Sequence, residues 1–337
     1  MNRRRSAGFV GVCLLAVAIA VAALLTGARR AEEARQPTAA TKLDKALDVA
    51  QVRSGPHIVF RSTAHGPTYG RLGVVPLSRP DGPRALLPQQ CLRVYATATA
   101  GVCLDAKPGL LPGYRALFLD ASLSTGREVP LIGIPSRARL SPDGTLAATT
   151  AFVEGHSYAD GGFSTATVVY DSRSGRTFGN LEDFSVFRAG NRYRASDINV
   201  WGVTFVDRDR FYATVASGKA TWLAEGSLSR RELRTLADGV ECPSISPDGT
   251  KVVYKKRVSG EPVTWRLHVL DVASGRDAAL AETRNVDDQA EWLDDRRVLY
   301  SLPRDSGDET DVWVVPADGS GRSRVLVPRA WSPAVIR

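Results

Sequence analysis

From His57 to the last residue the chain alternates short apolar runs with polar turns, and the turns recur. Ser141-Pro142-Asp143-Gly144-Thr145 follows Leu140 and leads into a strand-like run over 146–152. Ser246-Pro247-Asp248-Gly249-Thr250 follows Ile245 and leads into another over 251–254. The chemistry of the phrase is local: Pro presets φ, Asp caps the turn with its side chain, and Gly takes the position with φ above zero. A second phrase closes other strand-like runs, at Asp120 to Arg127, Asp171 to Arg176, Asp271 to Arg276 and Asp318 to Arg322. A weaker copy stands at Asp81-Gly82 and a degenerate one at Ser229-Arg230. The turn positions 82, 126, 175, 229, 275 and 321 are spaced by 44, 49, 54, 46 and 46 residues. A repeat of about 40 to 50 residues carrying four short strands is a propeller blade. The pattern therefore predicts six blades.

The ends of the array predict how the ring closes. Trp292-Leu293-Asp294-Asp295 and Phe205-Val206-Asp207-Arg208 stand where Ile245-Ser246-Pro247-Asp248 stands in its own unit. The first unit lacks its opening strand, while residues 331–337 begin a further unit and stop. The C-terminal strand is expected to complete the first blade, which removes two open sheet edges. With these turns the chain resembles the TolB-like, WD-like six-bladed propeller family, over about residues 55 to 337. That resemblance implies an all-β ring of four-stranded blades. It spans periplasmic translocation proteins, the propellers of prolyl oligopeptidases and sensor domains, so it implies little about activity.

Before the propeller, Arg3-Arg4-Arg5 precede a 20-residue apolar run from Ala7 to Thr26, and Arg29-Arg30 follow it. The length suits one transmembrane helix, and the arginines favour a cytoplasmic N-terminus. Residues 1–30 read as a signal anchor, 31–54 as a tether with a short helical tendency over 41–51, and 55–337 as the propeller. The expected location is the cell membrane, single-pass, with the C-terminal domain outside the cytoplasm. The alternative is secretion after signal cleavage. Cys13 lies within the run without a lipobox. Five of the residues behind the net charge of +8 are arginines in 1–30, leaving +3 for the remainder. No basic stripe interleaved with aromatics appears, which argues against nucleic acid.

Outside the anchor, Cys91 and Cys103 flank two strand-like stretches that form a hairpin, so a disulfide is expected in an oxidising compartment. Cys242 reads as a buried free thiol, and no Cys-x-x-Cys or His-Cys cluster suggests zinc. The six tryptophans recur at blade positions and read as packing between blades. His57 and His268 read as structural, and His65 and His156 as loop residues. Neither a Gly-x-Ser-x-Gly elbow nor a phosphate loop is present. Six blades also leave no room for a hydrolase domain.

The candidate site is acidic. Asp287, Asp288 and Glu291 enter the innermost strand of the sixth unit, and Glu241 and Asp197 hold the matching places in the fifth and fourth. Innermost strands line the central channel, so these carboxylates are expected to converge at one mouth, with His156 on a loop nearby. There they would take a divalent cation or a polar ligand. Alternatively they cap turns or pair with arginines. No catalytic residue is assigned. The expected function is a non-enzymatic binding or scaffold module whose partner is a cell-envelope protein or peptide. The alternative is a hydrolase or lyase at the channel mouth that uses the acidic and histidine residues, with a metal assisting.

Overall fold

The computed structural model describes residues 47–107, 113–153, 164–258, 260, 262–305 and 308–337. The apolar run, Cys13 and His156 lie outside the described residues. Among the described residues no helix is long and apolar enough to cross a membrane.

The described strands form six sheets, one per predicted unit. Blade 1 joins β1 (His57–Ser62), β2 (Arg71–Pro76) and β3 (Ala85–Gln90) to the C-terminal β26 (Ala330–Ile336). β26 runs antiparallel to β1, pairing His57 with Ile336 and Ser62 with Ala330, so the ring closes as expected. Blade 2 holds β4 (Arg93–Ala96), β5 (Gly101–Lys107), β6 (Gly113–Leu119) and β7 (Thr125–Leu131). Blade 3 holds β8 (Ile134–Leu140), β9 (Leu146–Val153), β10 (Ser164–Asp171) and β11 (Thr177–Asn180).

Blade 4 departs from the pattern. Its four strands β14 (Asn199–Phe205), β15 (Arg210–Ser217), β16 (Ala220–Ser227) and β17 (Glu232–Asp238) are joined by β12 (Ser185–Arg188) and β13 (Asn191–Tyr193), making six. β12 pairs in parallel with β17 and covers its outer edge. This insertion accounts for the longest spacing, 54 residues, and was not foreseen. Blade 5 holds β18 (Glu241–Ile245), β19 (Lys251–Val258), β20 (Thr264–Asp271) and β21 (Asp277–Ala279). Blade 6 holds β22 (Glu291–Asp294), β23 (Arg297–Pro303), β24 (Thr310–Pro316) and β25 (Arg324–Val327).

Inner strands are buried on both faces because each blade is sandwiched between two others. All seven residues of the innermost β14 are buried, and so are all six of β1, second in its blade, whereas β7, an outer strand, is mostly exposed. Strands covered on both faces in this way lose the strict alternation of a half-exposed strand, while the inner β8 and β26 keep partly exposed positions. The six main apolar clusters each straddle one junction between neighbouring blades, for example Val59 and Leu72 of blade 1 with Val94 and Leu117 of blade 2. The tether, expected through residue 54, meets the ring earlier. Asp48 accepts from the Gln51 N–H to cap α1 (Val49–Arg53), and Val52 is buried in the cluster between blades 1 and 2.

The recurrent turns explain their own recurrence. In both Ser-Pro-Asp-Gly-Thr copies the Asp carboxylate accepts from the Ser hydroxyl at 2.6 Å, the Thr N–H at 3.0 Å and the Thr hydroxyl at 2.8 Å. Gly144 and Gly249 adopt φ of 73° and 72°, which an L side chain resists. Cys91 and Cys103 form a disulfide that joins the entry of blade 2 to its second strand, and Cys242 is free and buried.

Candidate functional site: the central channel

The inner strands β26, β4, β8, β14, β18 and β22 touch one another in a closed ring and line a channel. Side chains block it midway. Arg93 donates to Asp288 at 2.8 Å, and the Trp331 indole N–H donates to the other oxygen of the same carboxylate at 2.8 Å. The Arg93 guanidinium lies 3.8 Å from the centre of the Trp331 ring. The Gln289 amide donates to the Val203 and Pro243 carbonyls, bridging blade 6 to blades 4 and 5. Ser332 bonds both backbone groups of Val94 through its hydroxyl.

Bulges help to close the ring at this level. Register shifts interrupt β14, β18 and β26, and Gly202, Cys242 and Ser332 take φ of 65°, 50° and 55° within them. The Gly202 backbone abuts Cys242 so closely that a Cβ would come within 2.6 Å of its Cα.

Where the inner strands end, the channel opens into a cavity of about 360 Å³. All six blades contribute to it, through Ala96, Leu140, Phe205, Ile245, Trp292 and Ile336. Its floor is an ion pair: Arg139 donates to Glu291 at 2.5 Å and to the Ala290 carbonyl at 2.6 Å, and its guanidinium lies 4.5 Å from the Tyr95 ring centre. Arg337 donates to the Trp292 and Leu293 carbonyls. Burial raises the Glu291 carboxyl above the usual range, although Arg139, Arg337 and the Tyr95 hydroxyl all favour its ionised form. Burial also pushes the Tyr95 phenol up, and Glu291 adds to that. For Asp288, burial is outweighed by Arg93 and Arg137, which hold the carboxyl below its ordinary value.

The expected carboxylates do not share one mouth. Asp288 belongs to the plug and Glu291 to the cavity floor. Asp287 lies at the opposite rim, 56% exposed, and pairs with Lys255 at 2.5 Å. Glu241 faces Arg257 at 3.2 Å. Asp197 accepts from the Ser217 hydroxyl at 2.6 Å and the Gly218 N–H at 2.5 Å, within its own blade. Among the described residues no three His, Cys, Asp or Glu side chains come together in a way that would hold a metal. In place of an acidic mouth the inner strands carry Arg93, Arg137, Arg139 and Arg337.

These arginines are the residues that sequence reasoning missed. Arg137 and Arg139 immediately precede the Ser141 turn, whose phrase already marked their strand as innermost, so the signal was present. The described histidines are structural or peripheral. His57 bonds the Gly55 carbonyl and His268 bonds Asp277, while the His65 backbone N–H donates to Glu309.

A scan against protein-family models and a search of curated proteins each find no match. Among solved structures the chain is similar to TolB from Acinetobacter baumannii, at 16% identity and a TM-score of 0.60, covering 84% of this chain and 67% of that one. It is also similar to a putative TolB from Agrobacterium tumefaciens, at 13% identity and a TM-score of 0.51, covering 81% of this chain and 88% of that one. The likeness is one of fold, a TolB-like six-bladed propeller.

Proposed function

We propose that the chain is a membrane-tethered, extracytoplasmic propeller that binds a protein or peptide of the cell envelope in the cavity where its inner strands end. The cavity carries this reading. It draws its wall from all six blades, so its shape is held by the closed ring. Arg139 and Glu291 neutralise each other in its floor, and Phe205, Pro142, Pro247 and Val335 offer apolar wall between polar backbone groups. A pre-formed concavity that sets apolar wall beside fixed polar groups is what ligand recognition uses, and its rigidity keeps the ordering cost of binding small. Tethering rests on the sequence, on the three arginines before the 20-residue apolar run. The Cys91–Cys103 disulfide suits an oxidising compartment.

One observation favours the second reading, a hydrolase or lyase at the same mouth. Glu291 is a carboxyl raised by burial beside a cavity, as catalytic acids often are. Photo-reactive residues at Thr97, on the cavity, and at Lys256, a partly exposed residue away from it, separate the readings in intact cells. Binding predicts one discrete adduct from Thr97 and none from Lys256. Equal labelling, or none, overturns the binding site. Turnover of an envelope peptide or polysaccharide by the purified protein, lost in Glu291→Gln, would replace binding with catalysis. Retention in the membrane fraction after a carbonate wash tests the tether, and release as a soluble species starting near Ala31 would refute it.

A further inference from the structure

Blade 4 carries a surface that closure of the ring does not require. Among the described residues the other five blades hold four strands each, and blade 4 alone adds a hairpin at its outer edge. From Ser185 to Ser196 the hairpin and the loop after it contain Arg188, Arg192 and Arg194 and no acidic residue. β12 pairs with β17 as far as Arg234, then turns at Ala189-Gly190 into β13. Beyond that point Ala224 and Leu223 pair with Thr235 and Ala237, which leaves Leu236 as the extra residue of a bulge. A bulge bends its strand and re-aims a side chain, and Leu236 is 56% exposed.

The hairpin tip and the bulge frame a groove of about 550 Å³, lined by Arg188, Arg192 and Tyr193 from the hairpin and by Leu236 and Asp238 from β17. Arg188 rests on the Trp222 ring, 5.1 Å from its centre. Asp238, the one acid among the lining residues, is 3.7 Å from Arg188 with its side chain 80% exposed, and so loose and wet a pair is weak. Arg192 pairs with Phe187 and Arg188 with Asn191, which puts the two arginines on opposite faces of the hairpin. Carboxylates on either face of an extended chain therefore meet a guanidinium, a donor that bonds them strongly. Bases and sugar rings would need an open aromatic face. Here Arg234 lies over Phe187, Arg188 over Trp222, and Tyr193 packs edge-on to Trp222.

We propose that this groove docks an acidic peptide segment of another protein, with carboxylates on Arg188 and Arg192 and an apolar side chain against Leu236. The excess of guanidinium over carboxylate sets the charge of the partner, and the exposed leucine between charged walls sets its mixed composition. The site lies at the outer edge of the ring, apart from the channel mouth, and does not depend on what the cavity there binds.

The test uses the purified protein and fluorescein-labelled heptapeptides built from leucine and glutamate in every order, with the leucine and lysine set as control. Anisotropy titration should find glutamate peptides that bind wild type, and no lysine peptide that binds as tightly. Arg188→Glu and Arg192→Glu, both at exposed positions, should each weaken the best peptide by about tenfold or more. Leu236→Ser should weaken it by less. A photo-reactive residue at Leu236 should cross-link that peptide and one at Thr97 should not, which separates this groove from the cavity. The proposal falls if no glutamate peptide binds, if lysine peptides bind equally, or if the charge reversals leave affinity unchanged. Cross-linking at Thr97 in place of Leu236 also overturns it. Dextran sulfate displacing the best peptide at equal charge would assign the groove to polyanions at large and overturn the peptide.

Discussion

Carboxylates in the exposed strand-to-strand turns and carboxylates buried in the channel meet different demands. Asp171, Asp248, Asp271 and Asp318 sit near solvent and are satisfied within three residues by donors of their own turn. The Ser246 hydroxyl, then the Thr250 N–H, bring Asp248 down to about 2. Asp288 and Glu291 are buried and take partners 195 and 152 residues away. The turn aspartates first shape their own turns, although Asp143 also accepts from Arg208 of blade 4, whereas the buried channel carboxylates find their charged partners only in other blades. Damage to a turn should therefore stay local, and damage to the channel should spread.

The most severe break is removal of residues 330–337. It deletes β26, opens two sheet edges and takes Trp331, Ser332 and Arg337 from the channel. Aggregation, or a fall in melting temperature of more than about 10 °C, is expected. Unchanged melting would mean that the ring does not need its closing strand.

Next comes Asp288→Ala, which leaves Arg93 and the Trp331 N–H buried without their acceptor. Both side chains of the ion pair are about nine-tenths buried, and removing one partner of such a pair costs about 3–5 kcal/mol. Urea denaturation should show this, and the double variant Arg93→Met, Asp288→Leu should recover most of it. A loss below about 1 kcal/mol would place the pair with surface ion pairs and erase the contrast. Asp248→Ala should cost only about 1 kcal/mol, the net worth of a few exposed hydrogen bonds. A cost equal to that of Asp288→Ala would show that the turns, too, act over long range.

The same contrast explains what could be read in advance. Ser141 to Thr145 and Asp271 to Arg276 encode their geometry within six residues, so six blades and closure by residues 331–337 were legible. The disulfide was legible because its half-cystines flank a single hairpin. The β12–β13 insertion left only a long spacing, since parallel pairing with β17 is decided far along the chain. Equal positions in successive units correctly placed Asp288, Glu291 and Glu241 on or beside inner strands. They said nothing of depth along the channel, nor that Arg93 and Arg139 would cross it from blades 2 and 3. The acidic mouth became a cationic channel for that reason.

Glu182 tests the contrast most finely, because it shares burial with the channel and neutral donors with the turns. It lies in a short helical turn between blades 3 and 4 and accepts from the Thr165 hydroxyl at 2.8 Å, the Val200 N–H at 3.1 Å and the Thr167 N–H at 3.0 Å. No lysine or arginine is among these partners. Burial pushes its carboxyl up to about 7 against those donors. A carboxyl raised on folding stabilises the fold below its unfolded value, near 4.5, and that contribution fades as pH climbs through about 7. The gap in stability between wild type and Glu182→Gln should therefore shift against wild type from pH 5 to pH 8, by on the order of 1 kcal/mol after allowance for solvent screening. Denaturation of both proteins at the two pH values reads it directly. A constant gap would show that three neutral donors suffice to keep a buried carboxylate ionised, and that an arginine from another blade is not what a buried acid in this ring requires.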